Sequence, residues 1–308
     1  MRTGVVGLGL IGGSVLRGLG GAVGYDADPR VRAAAAAEGF AVVAELAGLA
    51  DREVVIVAVP PGRTAGVVAA ALDAAPAAVV ADAASVKGVV LASVPERDRF
   101  VGAHPLAGAE TAGWAASSAD VLAGAVWAVC PAGESVEPVC RLGAAVDVLG
   151  GRLVACTAAE HDEAVARTSH VPHLAALSFA LLIAGEPLHA ALSGTAFRDM
   201  TRVARADAAL WAEILSLNRD RSLVALDELA ERLAALRGSV AAGDLTDAWA
   251  AGADALAAVD AARWSEPAWR DEGIEGGWAG LLALGRAGRA VRRLRADAAG
   301  ALRAEVTR

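Results

Sequence analysis

The sequence predicts an α/β N-terminal domain, a Rossmann-type doubly wound sheet over residues 1–157, followed by an all-α domain over residues 158–308. Three observations predict this division. Short apolar runs alternate with helical stretches through the first half. A G-x-G-x-x-G pattern closes the first of those runs. After about residue 157 no convincing strand pattern recurs, and alanine- and leucine-rich helical segments take over.

Taken in order, "TGVVGLG" reads as the first strand and "LIGGSVLRGLG" as a helix closed by glycine. "AVGYD" is a short second strand. "DPRVRAAAAAEG" carries an Asp cap, a proline in the first helical turn and a terminal glycine. "EVVIVAVP" is continuously apolar, the pattern of a parallel strand covered on both faces. "AAVVADA", "RFVGAHP", "GAVWAVCP" and "GGRLVAC" follow as further strands, joined by right-handed crossovers. From "TAAEHDEAVARTSH" onward, helices run to about residue 262, broken near "AGEPL" and "SGTAF". A loop rich in Gly and Trp, "WSEPAWRDEGIEGGW", precedes a last basic helix.

Composition narrows the functional classes. The chain has 308 residues and is 56% hydrophobic, enough to bury a full core. A net charge of -8 and the absence of any basic run argue against a nucleic-acid partner. No apolar stretch is long enough for a membrane span, and no secretion leader is expected, so the expected location is the cytoplasm. Three cysteines without C-x-x-C spacing (Cys130, Cys140, Cys156) read as reduced thiols. Lys87 is the sole lysine among 28 basic residues. Where arginine has replaced lysine almost everywhere, a surviving lysine reads either as a position that needs lysine or as chance.

The glycine pattern comprises Gly7, Gly9 and Gly12, with Leu10 and Ile11 between them. A strand precedes it, a helix starts within it, and Asp26 ends the next strand. That context makes it a dinucleotide fingerprint. The glycines admit the pyrophosphate to the backbone, and the helix N-terminus supplies partial positive charge. Asp26 would accept ribose hydroxyls and repel a 2′-phosphate, which favours NAD over NADP.

Two clusters carry the chemistry. "ADAASVKG" and "GAHPLAGAETAG" begin near strand ends, where open α/β sheets bind ligands. "RTSHVPHLAA" opens the helical half and sets His170 and His173 one turn apart, and "FRDMTRVARADAALW" follows. A metal reading of the histidines lacks a third ligand at a familiar spacing, and no metal is expected. No nucleophile elbow supports a serine hydrolase. His161 and His189 read as structural residues.

The ordered set "GLGLIGGS", D-x-x-S-V-K, G-x-H-P-x-A-G-x-E-x-x-G, S-H-x-P-H and F-[RK]-D-x-T-R resembles the prephenate/arogenate dehydrogenase family from residue 1 to about 220. The resemblance implies a Rossmann domain, an α-helical dimerisation domain, a homodimer and NAD-dependent oxidative decarboxylation of prephenate or arogenate. It makes His104 the catalytic histidine and Ser85 its partner near the substrate hydroxyl. Ser169 and His173 become active-site residues, Arg202 the ligand of a substrate carboxylate, and Glu110 a gating carboxylate. Trp211 resembles a tryptophan that approaches the partner's site in dimers. Ala109 and "SGTAF" depart from the family pattern, which leaves prephenate, arogenate and an amino-substituted prephenate open as substrates. Other Rossmann dehydrogenases with a helical second domain, and a non-catalytic NAD-sensing dimer, are the competing readings. The chemistry suits the residues: a hydride leaves a hydroxyl-bearing carbon, and histidine takes the hydroxyl proton near neutral pH.

Overall fold

The structure, a computed structural model, describes residues 1–94, 98–108, 111–133, 135–263, 267–297 and 301–307. Their strands are β1 (Thr3–Val6), β2 (Val23–Tyr25), β3 (Ala41–Val42), β4 (Val54–Val57), β5 (Val79–Asp82), β6 (Phe100–Pro105), β7 (Val126–Pro131), β8 (Arg152–Ala155), β9 (Trp269–Ile274), β10 (Val291–Ala296) and β11 (Leu302–Thr307). Among the described residues they form one 11-stranded sheet in the order β3-β2-β1-β4-β5-β6-β7-β8-β10-β11-β9.

The strands from β3 to β6 in that order run parallel, as the doubly wound reading requires. β7 is antiparallel to β6 and parallel to β8. The uninterrupted apolar character of β4 follows from burial of all four residues. Two apolar clusters cover the sheet, one containing Val5, Val54 and Ile56 and the other Val6, Val55 and Val57. Alternate residues of one strand therefore face different cores, the geometry of a sheet packed on both sides. Asp28 caps the helix Pro29–Ala37 by accepting the Arg30 N–H, with proline in its first turn, as the sequence predicts.

Two compact units make up the chain. The first joins Met1–Asp162 with Ala206–Leu217 and Trp269–Arg308, and the second joins Glu163–Arg205 with Asn218–Ala268. The described elements of the second unit are all helical. Its long helices, Arg219–Ala242 and Thr246–Arg263, leave Leu233, Val240, Trp249 and Leu256 exposed.

Beyond residue 268 the structure departs from the expected all-α half. The last basic helix is replaced by the helix Trp278–Arg286 and three antiparallel strands that extend the first unit's sheet from β8. The sequence hides this for a physical reason. In β10 the buried residues Val291 and Leu294 are three apart, a helical spacing. A bulge between Arg292 and Arg295, with Arg293 at φ 50°, shifts the alternation by one residue. β11 alternates regularly, with Leu302, Ala304 and Val306 inward.

Candidate active site

The glycine loop leaves the C-terminal end of β1 and enters the helix Leu10–Gly18. Gly7 lies at φ +86°, in the left-handed region that favours glycine. A Cβ on Gly12 would stand 1.8 Å from the Gly7 carbonyl oxygen, so the first helical turn closes on the loop only without a side chain. Nothing lies within 4 Å of where a Gly9 Cβ would be. The loop is thus tight on its protein side and open at Gly9, a cradle suited to a phosphate. Leu10 and Ile11 begin the helix half-buried. Asp26 follows β2, and its carboxylate accepts the Leu8 N–H at 2.7 Å and the Asp28 N–H at 2.8 Å. The acidic residue of the fingerprint is therefore fixed against the loop, and these residues fit a dinucleotide.

Asp82 ends β5, Ser85 lies half-buried in the loop beyond it, and His104 lies near the end of the neighbouring β6. Between these strand ends, Lys87 and Asp82 form an ion pair with both side chains fully buried. Lys87 Nζ also donates to the Ala103 carbonyl at 2.8 Å, while Asp82 accepts the N–H groups of Ala103 and Ala84. The sole lysine thus fastens β5 to β6 at the residue before His104. A compact ammonium fits where a Cβ on Gly102 would lie 3.4 Å from the Lys87 side chain; a planar guanidinium has a different shape.

His104 Nδ1 lies 3.0 Å from His161 Nε2, and His161 Nδ1 lies 2.7 Å from Asp162 Oδ1. The two carboxylate oxygens of Asp162 accept the N–H groups of Lys87 and Gly88, each at 2.8 Å. Burial is the main cause that pushes the His161 imidazole below its ordinary pKa, so it stays neutral. Burial works to raise Asp162, yet hydrogen bonds from His161, Lys87 and Gly88 hold its carboxyl below the usual carboxylate range. His161 was expected to be structural, and its link to His104 is what the sequence reading missed. The sequence offers no signal for it beyond an H-D pair within the helix that follows β8.

The helix carrying His161, Ala158–Val165, starts on a capping box: Glu160 accepts the Thr157 N–H, and Thr157 Oγ1 accepts the Glu160 N–H. The Thr157 N–H and the Arg286 guanidinium push the Glu160 pKa down to about 2 from an ordinary 4.5. A depressed carboxyl stabilises the fold fully above its unfolded pKa and loses that effect as pH falls through its folded value. The stability gap between wild type and Glu160→Gln in urea unfolding is therefore full at neutral pH and closes as pH falls from about 4.5 to about 2. A gap unchanged down to acid pH would contradict this.

Residues 16–154 match the family described as prephenate dehydrogenase, nucleotide-binding domain, and residues 157–250 match prephenate dehydrogenase, dimerization domain. A cyclohexadienyl dehydrogenase of Zymomonas mobilis is 31% identical over 208 residues, 63% of this chain and 70% of the relative. The chain belongs to the prephenate dehydrogenase family. A protein assigned as a prephenate dehydrogenase from Corynebacterium glutamicum superposes with a TM-score of 0.84 at 28% identity, covering 93% of this chain and 97% of that one. The prephenate dehydrogenase of Aquifex aeolicus, solved with hydroxyphenyl propionate and NAD+, has the same fold, with a TM-score of 0.71 at 23% identity over 86% of this chain and 97% of that one.

The remaining expected residues of this prephenate dehydrogenase family member divide between the units. Ser169 lies in a π-helical turn, Ala166–His170, just before Pro172, which has no N–H to continue regular helical bonding. His173 Nδ1 donates to the Ser169 carbonyl at 2.8 Å. Burial first, and the nearby Arg202 charge after it, push the His173 pKa down. The structure thus brings Ser169, His173 and Arg202 together in the helical unit. His170 is buried instead, with its Nδ1 at 3.0 Å from Ser222 Oγ and 3.4 Å from Asn218 Nδ2. Arg198 and Arg205, with Ser193, Thr195 and Thr201, line an open cavity of about 480 Å³ in the same unit. Trp211 is half-buried on the helix Ala208–Leu217, which groups with the first unit; that helix's Glu213 accepts the Gly62 N–H at 3.0 Å. Glu110 and Ala109 lie outside the described residues. Among the described residues no cluster of three His, Cys, Asp or Glu is arranged to hold a metal ion.

Proposed function

We propose that this chain oxidatively decarboxylates prephenate to 4-hydroxyphenylpyruvate with NAD, as a cytoplasmic homodimer. His104 carries the reading. It lies near a strand end on the edge that also bears the dinucleotide loop, and its Nδ1 is engaged by His161. Asp26 beside that loop supports NAD, as does the Aquifex relative solved with NAD+. NAD, when bound, accepts the hydride from the hydroxyl-bearing ring carbon. His104 takes the hydroxyl proton, and Ser85 orients that hydroxyl. Arg202 binds a substrate carboxylate, and His173, held neutral, hydrogen-bonds to substrate without adding charge. Glu110 is assigned a gating role and Trp211 a role toward the partner's site, both from the family pattern.

A second reading takes arogenate as substrate. It is favoured by the name of the Zymomonas relative, since prephenate and arogenate are both cyclohexadienes. One assay separates the readings: purified protein receives prephenate or arogenate with NAD or NADP, and absorbance of the reduced cofactor is followed. Prephenate with NAD should turn over fastest. Turnover of arogenate alone would move the substrate, and no reduction with either would remove the enzyme reading.

The homodimer is supported by the dimerisation-domain match and by apolar exposure in the helical unit, where Leu182, Leu192 and Trp249 are 73%, 75% and 78% exposed. Light scattering at micromolar concentration should give twice the chain mass. A monomer there would count against the dimer and against any role for Trp211 across subunits.

A further inference from the structure

His104, His161 and Asp162 lie in one hydrogen-bonded line within the first unit. The direction of that line follows from its buried end. Asp162 already accepts the N–H groups of Lys87 and Gly88, and an ionised carboxylate can only accept. The hydrogen bond at 2.7 Å therefore has His161 Nδ1–H as donor. A neutral imidazole with its proton on Nδ1 has a lone pair on Nε2. Across the 3.0 Å gap to His104, the donor must then be His104 Nδ1–H. That leaves the lone pair of His104 on Nε2.

We infer that Asp162, acting through His161, sets the tautomer of His104, so that Nε2 is the basic nitrogen before substrate arrives, and that the same pair stabilises the imidazolium formed when His104 takes a proton. Both residues are buried and reach His104 only along this line, so they act as positioning residues. The inference rests on the proposed role of His104 as the base. In the proton step the substrate O–H bond breaks and the His104 Nε2–H bond forms. The positive charge appears on His104, whose Nδ1–H already points to His161, with the Asp162 carboxylate beyond as counter-charge.

The other charges around His161 do not upset this assignment. The Lys87 charge lowers the affinity of His161 for a proton, but Lys87 is committed to Asp82. Burial keeps His161 from becoming a cation itself, so it remains an acceptor toward His104. The support is rigid. Asp162 is tied to the loop that carries Lys87, and Lys87 is tied to the backbone of Ala103, which precedes His104. One network fixes both the place of the base and its protonated nitrogen.

The test is a tautomer measurement with a kinetic arm. Five histidines make selective 15N-histidine labelling tractable. Long-range proton–nitrogen correlation on the protein without substrate should show His104 protonated on Nδ1. In Asp162→Asn the amide can donate toward His161 Nδ1, which reverses both hydrogen bonds and moves the His104 proton to Nε2. With prephenate and NAD, that variant should lose about 10²–10⁴-fold in kcat, the worth of general-base assistance, with KM changed far less. His161→Gln, which can still present an acceptor oxygen to His104, should keep more of kcat than His161→Leu. A wild-type His104 protonated on Nε2, or an Asp162→Asn kcat within about threefold of wild type, would overturn the inference. If wild type turns over no prephenate, the functional reading fails while the resonance assignment still decides the tautomer.

Discussion

His104→Asn should cut kcat with prephenate by about 10²–10⁴-fold and leave NAD affinity nearly intact. His104 lies in β6, whose partners are β5 and β7, and its backbone position does not depend on its ring. Asparagine can keep a hydrogen bond toward His161 but cannot hold a proton as a base. The acid limb of the rate profile, expected where a histidine base is lost to protonation, should vanish with the imidazole. Steady-state kinetics across pH, with NAD binding measured separately, check both parts. A variant with near-normal kcat and the same acid limb would move the base to His173, whose pKa burial pushes down.

Lys87→Met should cost about 3–5 kcal/mol of stability. Lys87 and Asp82 are both wholly buried, and removing the ammonium leaves a carboxylate in the core with the N–H groups of Ala84 and Ala103. The residual carboxylate, not the lost attraction, dominates that cost. The double variant Lys87→Met with Asp82→Leu should recover a large part of it, because apolar replacement of a buried pair is often neutral. Urea unfolding of the three proteins reads this directly. Equal stability of Lys87→Met and wild type would contradict a buried charge pair at this position.

Different parts of this molecule were legible to different degrees. The geometry of the glycine loop and of Asp26 was readable because it depends on local spacing, and β1, β2 and the helix between them are contiguous. Composition alone singled out Lys87, with chance as the alternative, and did not identify its partner Asp82. The Asp162–His161–His104 line was hidden because it joins residues far apart in sequence, and "AAEHDEAV" reads as an ordinary polar helical turn. Across β9 to β11, periodicity failed at one position, where the Arg293 bulge converts a strand into an apparent helical spacing. The Ser169–His173 pairing was only half legible. The spacing placed two histidines one turn apart, but the π-turn before Pro172 sends His170 into the packing and leaves His173 beside Arg202.

The return of the last strands to the first unit has a consequence for synthesis. β8 is finished by residue 155, but its outer neighbour β10 begins only at Val291. While the helical unit is being translated, β8 presents an unpaired edge, the kind of surface that invites pairing with other chains. Leu302, Ala304 and Val306 complete the covering only after the whole helical unit has been made. The first unit is thus begun before the helical unit and completed after it, and the helical segment has the whole interval in which to find its own fold. A stop codon or proteolytic cut just before Trp269 would spare every predicted site residue. It would nonetheless leave the sheet open at the edge beside the strands that hold Trp127 and Leu153 in the core. Loss of the tail should therefore show as aggregation during expression before it shows in any kinetic constant.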